Sequence, residues 1–259
     1  MRRPAPSSTS AKSALVEMRV SVVIPAFNEE KLLPATLASV QVAAAAFLSR
    51  GWTWECVVCD NNSTDGTAAC ARAAGAVVVF EPVNQIGRAR DAGARVATGD
   101  WLVFIDADST PSIELFAAIA DQIAAGRALG GGSTVELELG TPRYARFVCG
   151  IWNLCSRLAG WAAGSCVWVE AAAFREVGGF GTEYYAGEEV FLSRRLKSLA
   201  RRTKRRFVIL ADHPLQTSSR KLKLYTLTEA ARFFFRMLFT AGRAAKRPEN
   251  CDIWYDGRR

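Results

Sequence analysis

Trp101-Leu102-Val103-Phe104-Ile105-Asp106-Ala107-Asp108 decides the fold. Five consecutive apolar residues bounded by turn chemistry read as a buried strand. Two carboxylates, one residue apart, follow where that strand breaks into a loop. In an open parallel sheet, the crevice beyond the carboxyl ends of the strands is where α/β proteins bind nucleotides. A pair of hard oxygen donors there suits Mg2+ or Mn2+, which leave positions for substrate phosphates. A lone Asp-x-Asp is common in acidic loops, so the surrounding chain must carry the reading.

Working outward, apolar runs at 20–24, 54–59 and 76–80 read as further strands. Segments 29–48, 86–97 and 111–125 read as helices, with Pro34 tolerated only near a helix start. Strands alternating with helices of this length build βαβ units. The pattern changes after Gly130-Gly131-Gly132. A strand at 135–139, a turn at Gly178-Gly179-Phe180, a helix at 187–199 and a short strand at 207–210 follow, with a terminal helix at 224–245. The expected fold is α/β: an open, mostly parallel sheet flanked by helices. One domain at 19–220 is preceded by a loose Pro-, Ser- and Ala-rich tail (1–18) and followed by a basic, aromatic extension (221–259).

Half of the 259 residues are hydrophobic and 22% are charged, which is globular composition. Of seven cysteines only Cys56 and Cys59 lie close together, and no second pair stands at zinc-site spacing. Reduced thiols in the cytoplasm are the expectation. The first 18 residues lack the apolar core of a signal peptide. The longest apolar stretch, 147–169, is interrupted by Asn153, Arg157 and several glycines, and makes a poor membrane span. Charge is uneven. Residues 1–193 hold 15 Lys+Arg against 20 Asp+Glu, and residues 194–259 hold 18 against 5. The last quarter therefore suits a polyanion: a phosphate-bearing substrate, an anionic membrane surface or nucleic acid. Six of the ten residues 197–206 are Lys or Arg, and 232–239 interleave Arg232 and Arg236 with Phe233, Phe234, Phe235 and Phe239. Such a segment suits a packed helix or an interfacial one at an anionic membrane.

Four polar clusters stand at successive strand ends or at a helix start. They are Pro25-Ala26-Phe27-Asn28-Glu29-Glu30, the run Asp60-Asn61-Asn62-Ser63-Thr64-Asp65-Gly66-Thr67, Gly87-Arg88-Ala89-Arg90-Asp91-Ala92-Gly93, and Asp106-Ala107-Asp108. Together with Val177-Gly178-Gly179-Phe180 and Gly187-Glu188-Glu189-Val190-Phe191-Leu192, in this order, they resemble family 2 glycosyltransferases with the Rossmann-like GT-A fold. The likeness covers roughly residues 19–220.

That resemblance implies a role for each matched residue. Pro25, Ala26 and Glu29 would line the nucleotide pocket, Asp60 would meet the base, and Arg88 would approach the nucleotide. Asp106 would face the ribose or the metal's waters. Asp108 would hold Mg2+ or Mn2+ on the diphosphate. Glu188 and Glu189 stand where the family usually has Glu-Asp, and Glu189 takes the position of the base that deprotonates the acceptor hydroxyl. A lone carboxylate base fits direct displacement with inversion. Two carboxylates opening a helix are also what its dipole favours. His213, the only histidine, follows the pattern of a late metal ligand or of a surface residue. Thr217-Ser218-Ser219-Arg220 follows a strand and suits either the diphosphate or a plain turn. Trp152, Trp161 and Trp168 are acceptor-side or core residues.

The implied partners are a nucleoside-diphosphate sugar of UDP or GDP type and a hydroxyl acceptor, lipid-linked or not. No nucleic acid is expected. The implied place is the cytoplasm or the inner membrane face. The rival enzyme is a sugar-phosphate nucleotidylyltransferase, although its Gly-rich basic loop is absent after strand one. The rival without catalysis is a polyanion- or membrane-surface-binding module built on the basic last quarter.

Overall fold

A computed structural model describes residues 18–220, 243–247, 249 and 251. The chain runs β1 (Arg19–Ala26), α1 (Leu33–Ala43), α2 (Ala45–Leu48), β2 (Thr53–Asp60), α3 (Thr67–Ala73), β3 (Val77–Phe80), α4 (Ile86–Val96) and β4 (Trp101–Ile105). It continues through β5 (Ser109–Thr110), α5 (Ile113–Ala124), β6 (Ala128–Leu137), α6 (Arg143–Ala159), β7 (Cys166–Glu170), α7 (Ala171–Glu176), α8 (Glu188–Arg202) and β8 (Arg206–Thr217).

One eight-stranded sheet has the order β3-β2-β1-β4-β7-β6-β8-β5. Its first four strands are parallel, as the alternation predicts. The β6–β8 pair is also parallel, whereas β7 is antiparallel to both β4 and β6, and β5 to β8. Both faces are covered, which is why the inner strands are apolar throughout rather than alternating. Val20, Val22, Ile24, Val103 and Ile105 pack towards α1 and α5. Val23, Leu102 and Phe104, one residue out of step, pack on the opposite side with Phe174, Phe180 and Leu192. Each face follows from the two-residue period of a strand.

The second half departs from the expectation. The glycine triplet lies inside β6, which begins at Ala128 and not near 135. Gly131 is paired beside Val208, and a Cβ there would sit 1.9 Å from the Val208 carbonyl oxygen and 2.6 Å from the Trp168 ring. Packing space, not a turn, explains this glycine. Gly131→Ala is therefore expected to destabilise by about 3 kcal/mol, because backbone must give way. A urea unfolding midpoint unchanged by the substitution would contradict that close approach. Strand β7 and helix α6 occupy the region whose sequence pattern is mixed. The short late strand is 12 residues long, and its β6 pairing shifts register at two places, between Ala128 and Gly130 and between Ser133 and Val135. Helix α1 starts later than 29, at Leu33, with Pro34 in its first turn. The terminal helix read at 224–245 falls outside the described residues, apart from a 3-10 turn over Arg243–Lys246. Tyr185 donates its N–H to the Ala245 carbonyl at 2.6 Å, and Ala186, Ala245 and Cys251 are buried together. All seven cysteines are free, and burial pushes the Cys56 and Cys59 thiols up to about 12.

Candidate active site

The carboxyl ends of β1, β2 and β4 share one edge. Ala26 pairs with Asp60 in the last register of β1 and β2. The loops beyond them are stapled together. Asn28 adopts φ 53°, a left-handed conformation that asparagine tolerates. Its N–H donates to Ser63 Oγ (3.0 Å), and its Oδ1 accepts from the Thr64 N–H (2.8 Å). The Glu29 N–H donates to Thr67 Oγ1 (2.8 Å). Asp60 is nearly buried and accepts the Ser63 N–H at 3.0 Å.

The Asp106-Ala107-Asp108 loop is tied on both sides. Thr36 Oγ1 donates to the Ala107 carbonyl (2.8 Å), and the Ser218 N–H donates to the Asp108 carbonyl (3.1 Å). Arg220 comes in from the segment after β8. Its fork donates to both Glu29 carboxylate oxygens, at 2.9 and 2.5 Å, and stands 3.6 Å from Asp108 Oδ2. Glu29, Asp108 and Arg220 are thus one cluster, although 191 residues separate Glu29 from Arg220.

Arg90 organises the other side. It is 1% exposed, on the face of α4 turned to the sheet. It donates to Glu188 Oε1 at 2.5 Å, to Asp106 Oδ1 at 2.8 Å and to the Gly164 carbonyl at 2.8 Å. Its guanidinium lies 5.1 Å from the centre of the Phe180 ring. The loop carrying Phe180 is clamped in turn. Asp91 accepts the Phe180 and Gly181 N–H groups at 2.8 and 3.0 Å, and Arg195 donates to the carbonyls of Val177, Gly179 and Phe180.

Glu188 and Glu189 open α8 after Gly187, whose φ of 74° reverses the chain. Their environments differ. Glu188 is buried and paired with Arg90, although burial still raises its pKa. Glu189 is less enclosed and reaches towards Gly164, where a Cβ would lie 3.5 Å from its carboxylate. Burial first, then the neighbouring Glu188 charge, push the Glu189 carboxyl up to about 8 against the pull of Arg90. The two adjacent carboxylates are set apart by their surroundings: Glu188 is engaged in an ion pair with Arg90, while the Glu189 carboxyl keeps its proton to higher pH than an ordinary carboxylate.

The structure therefore gathers Ala26, Glu29, Asp60, Asp106, Asp108, Glu188 and Glu189 at one edge. Arg88 is placed differently, 3.8 Å from Glu81 at the end of β3. Arg90, two residues on, is the arginine that meets Asp106. One signal in the sequence marks it. Gly87, Arg90, Gly93 and Ala94 share a helix face of small residues, and Arg90 is the lone charge on that face. His213 is exposed. Trp168 is core, its ring tilted by 33° against that of Trp101 at 5.9 Å. Trp161 lies under the Arg194 guanidinium at 5.4 Å.

Among the described residues no group of three His, Cys, Asp or Glu side chains forms a cage for a metal. Asp108 and Asp106 nevertheless fit a hard divalent cation. Mg2+ is commonly held by one or two carboxylates, with phosphates and water completing the shell.

A profile of glycosyl transferase family 2 matches residues 21–158, more than half of the chain. The chain belongs to this family. An uncharacterised glycosyltransferase of Mycobacterium tuberculosis is 43% identical over 91 residues, which are 35% of this chain and 37% of the relative. The match thus spans little more than a third of that relative's length. Among solved structures, S. aureus TarS 1–349 in complex with UDP superposes with a TM-score of 0.60 at 19% identity, covering 78% of this chain and 60% of that one. Glucosyl-3-phosphoglycerate synthase from M. tuberculosis, in complex with Mn2+, UDP and glucosyl-3-phosphoglycerate, gives a TM-score of 0.58 at 21% identity, covering 93% and 85%. These likenesses place the sheet and its helices in the GT-A fold.

Proposed function

We propose that residues 19–220 form a catalytic domain that transfers a sugar, with inversion, from a nucleoside-diphosphate sugar to a hydroxyl acceptor. The observation that carries this reading is the division of labour at α8: Arg90 engages Glu188, while Glu189 beside it keeps a carboxyl poised near neutral pH. Ala26 and Asp60, paired at the end of β1 and β2, would hold the base; the similar TarS 1–349 structure was solved in complex with UDP. Asp108, with Asp106, would hold Mg2+ or Mn2+. When bound, that cation neutralises charge building on the leaving diphosphate. Arg220 adds a second positive group beside Asp108. Glu189 takes the proton of the acceptor hydroxyl as its oxygen bonds to the anomeric carbon. The bond from that carbon to the diphosphate oxygen breaks, and the nucleoside diphosphate leaves with its electron pair. Attack opposite the leaving group inverts the anomeric centre.

Donor binding is tested by thermal unfolding with UDP or GDP, with and without Mn2+. A ligand at about 100 times its Kd stabilises the folded state by about 2.7 kcal/mol. Metal-dependent stabilisation by one nucleotide, absent in Asp108→Ala, is the expected result. No stabilisation by any nucleoside diphosphate would overturn the proposal. The product anomer, read by NMR, separates inversion from retention.

A further inference from the structure

Helix α6 is turned inside out. Tyr144, Phe147, Val148, Ile151, Leu154 and Leu158 are exposed, Phe147 and Leu158 to 70% and 80%. At 100° per residue these six fall within an arc of about 120°, the width of an apolar stripe that normally faces a core. The inward face is made of small and polar residues instead. Ala145 and Ser156 are buried there. Asn153 accepts the Val135 N–H at 3.0 Å and donates to its carbonyl at 2.8 Å. The side chain that anchors the helix is thus an amide, and its largest apolar groups face out.

The charges of the helix say what covers that stripe. Its 17 residues include Arg143, Arg146 and Arg157 and no acidic residue. All three arginines flank the same side of the stripe. Arg146 and Arg157 open, with Leu154, onto a groove of about 470 Å³ between α6, the end of β6 and the middle of β8, where Glu136 is the one acidic lining residue. An apolar face edged by cations suits the interface of an anionic bilayer, where apolar side chains enter the acyl boundary and arginines meet phosphates. The other occupants are opposed by the same charges. A second copy seated symmetrically by the same stripe would set Arg143, Arg146 and Arg157 of one α6 beside those of the other, with no acidic residue on either helix. Residues 221–242 of this chain hold four Lys or Arg and one Glu, again like charge. Among the described residues no helix is long and apolar enough to cross a membrane.

We infer that α6 docks this protein onto an anionic phospholipid surface by its outward apolar face. The helix ends at Ala159 with Gly160 as its left-handed cap, and the chain runs on into Ala162–Gly164, where Ser193 Oγ accepts the Ala162 N–H and Arg90 donates to the Gly164 carbonyl. A docked α6 would hold the Glu189 side of the site near the headgroups. Resting on the transferase reading, that placement suits an amphiphilic acceptor presented from the bilayer.

The test is flotation of the full chain with phosphatidylcholine vesicles, with and without phosphatidylglycerol, at about 0.1 M salt. Partition roughly tenfold stronger onto the anionic vesicles is expected, weakening with salt. Phe147→Asp with Leu158→Asp should lower it about tenfold or more. Phe147→Ala with Leu158→Ala removes apolar surface without adding charge, and should also weaken binding if the Asp pair folds poorly. Equal binding to neutral vesicles, no binding, or binding untouched by either pair would overturn the proposal. So would a dimer in solution that the Asp pair dissociates, since a second copy would then be the occupant. None of these readouts requires catalysis, so their failure leaves the transferase proposal standing.

Discussion

Glu189→Gln is expected to lower kcat by about 10³-fold, within the range for loss of a general base, while leaving nucleotide binding intact. Gln keeps the shape and cannot accept the proton. In the unsubstituted protein, kcat/KM should rise with pH along a limb centred near the Glu189 pKa of about 8, because the base acts only when ionised. Glu189→Asp keeps a carboxylate and should retain more activity than Glu189→Gln. Stability moves the opposite way. The folded-state pKa is raised above the ordinary 4.5, so between those two values the folded protein holds a proton that the unfolded chain has lost. Stability therefore falls as pH rises from about 4.5 to about 8 and is level beyond. Glu189→Gln removes that fall, so it should melt higher than the unsubstituted protein at alkaline pH while being nearly inactive. Full activity of Glu189→Gln would dismiss Glu189 as the base. Loss of activity together with a lowered melting temperature would indicate a structural role.

The two halves of the molecule differ in how plainly their sequences speak. Strands β1 to β4 are legible because each is an apolar run closed by polar turn chemistry, and their parallel order follows from intervening helices. The polar ends of those strands align in the sequence alone, so the place of Asp60, Asp106 and Asp108 at one sheet edge is legible there. Beyond residue 128 the local signals point elsewhere. Gly130-Gly131-Gly132 has the composition of a turn, yet it lies mid-strand because Trp168, Val169, Val208 and Ala162 crowd its three positions. Helix α6 was obscured because its apolar stripe faces outward, so its segment reads as a mixed apolar region. The Glu29–Arg220 pair links β1 to the end of β8, a separation that no sequence window spans. Arg88 and Arg90 stand in the same motif, and proximity to a motif gives no direction. Only the helix period separates the arginine that turns inward from the one that does not.

Replacing Arg90 by Met is expected to cost about 3–5 kcal/mol, the range for removing one partner of a buried ion pair. Arg90 has two carboxylate partners: Glu188, 3% exposed, and Asp106, which is less enclosed. Methionine fills comparable volume, so the loss is electrostatic rather than a cavity. The Glu188 carboxyl is already raised by burial, and the Arg90 charge is the main force opposing that rise. Without it Glu188 should take up a proton, which relieves part of the penalty. The stability gap between Arg90→Met and the unsubstituted protein should therefore narrow as pH falls from about 8 to about 5, where a buried carboxyl is neutral at little cost. Urea unfolding at the two pH values measures the gap. Adding Glu188→Gln to Arg90→Met should recover part of the stability, since no buried charge is then left alone. It should not recover activity, because Asp106 would still lack its partner. Arg90→Lys is the finer probe. One ammonium cannot reproduce the fork that reaches Glu188, Asp106 and the Gly164 carbonyl together, so folding should largely survive while transfer falls. A gap constant across pH would place the damage in packing instead. Arg90 would then be a core residue that happens to carry a charge, not the tie between the Asp106 edge and the carboxylates of α8.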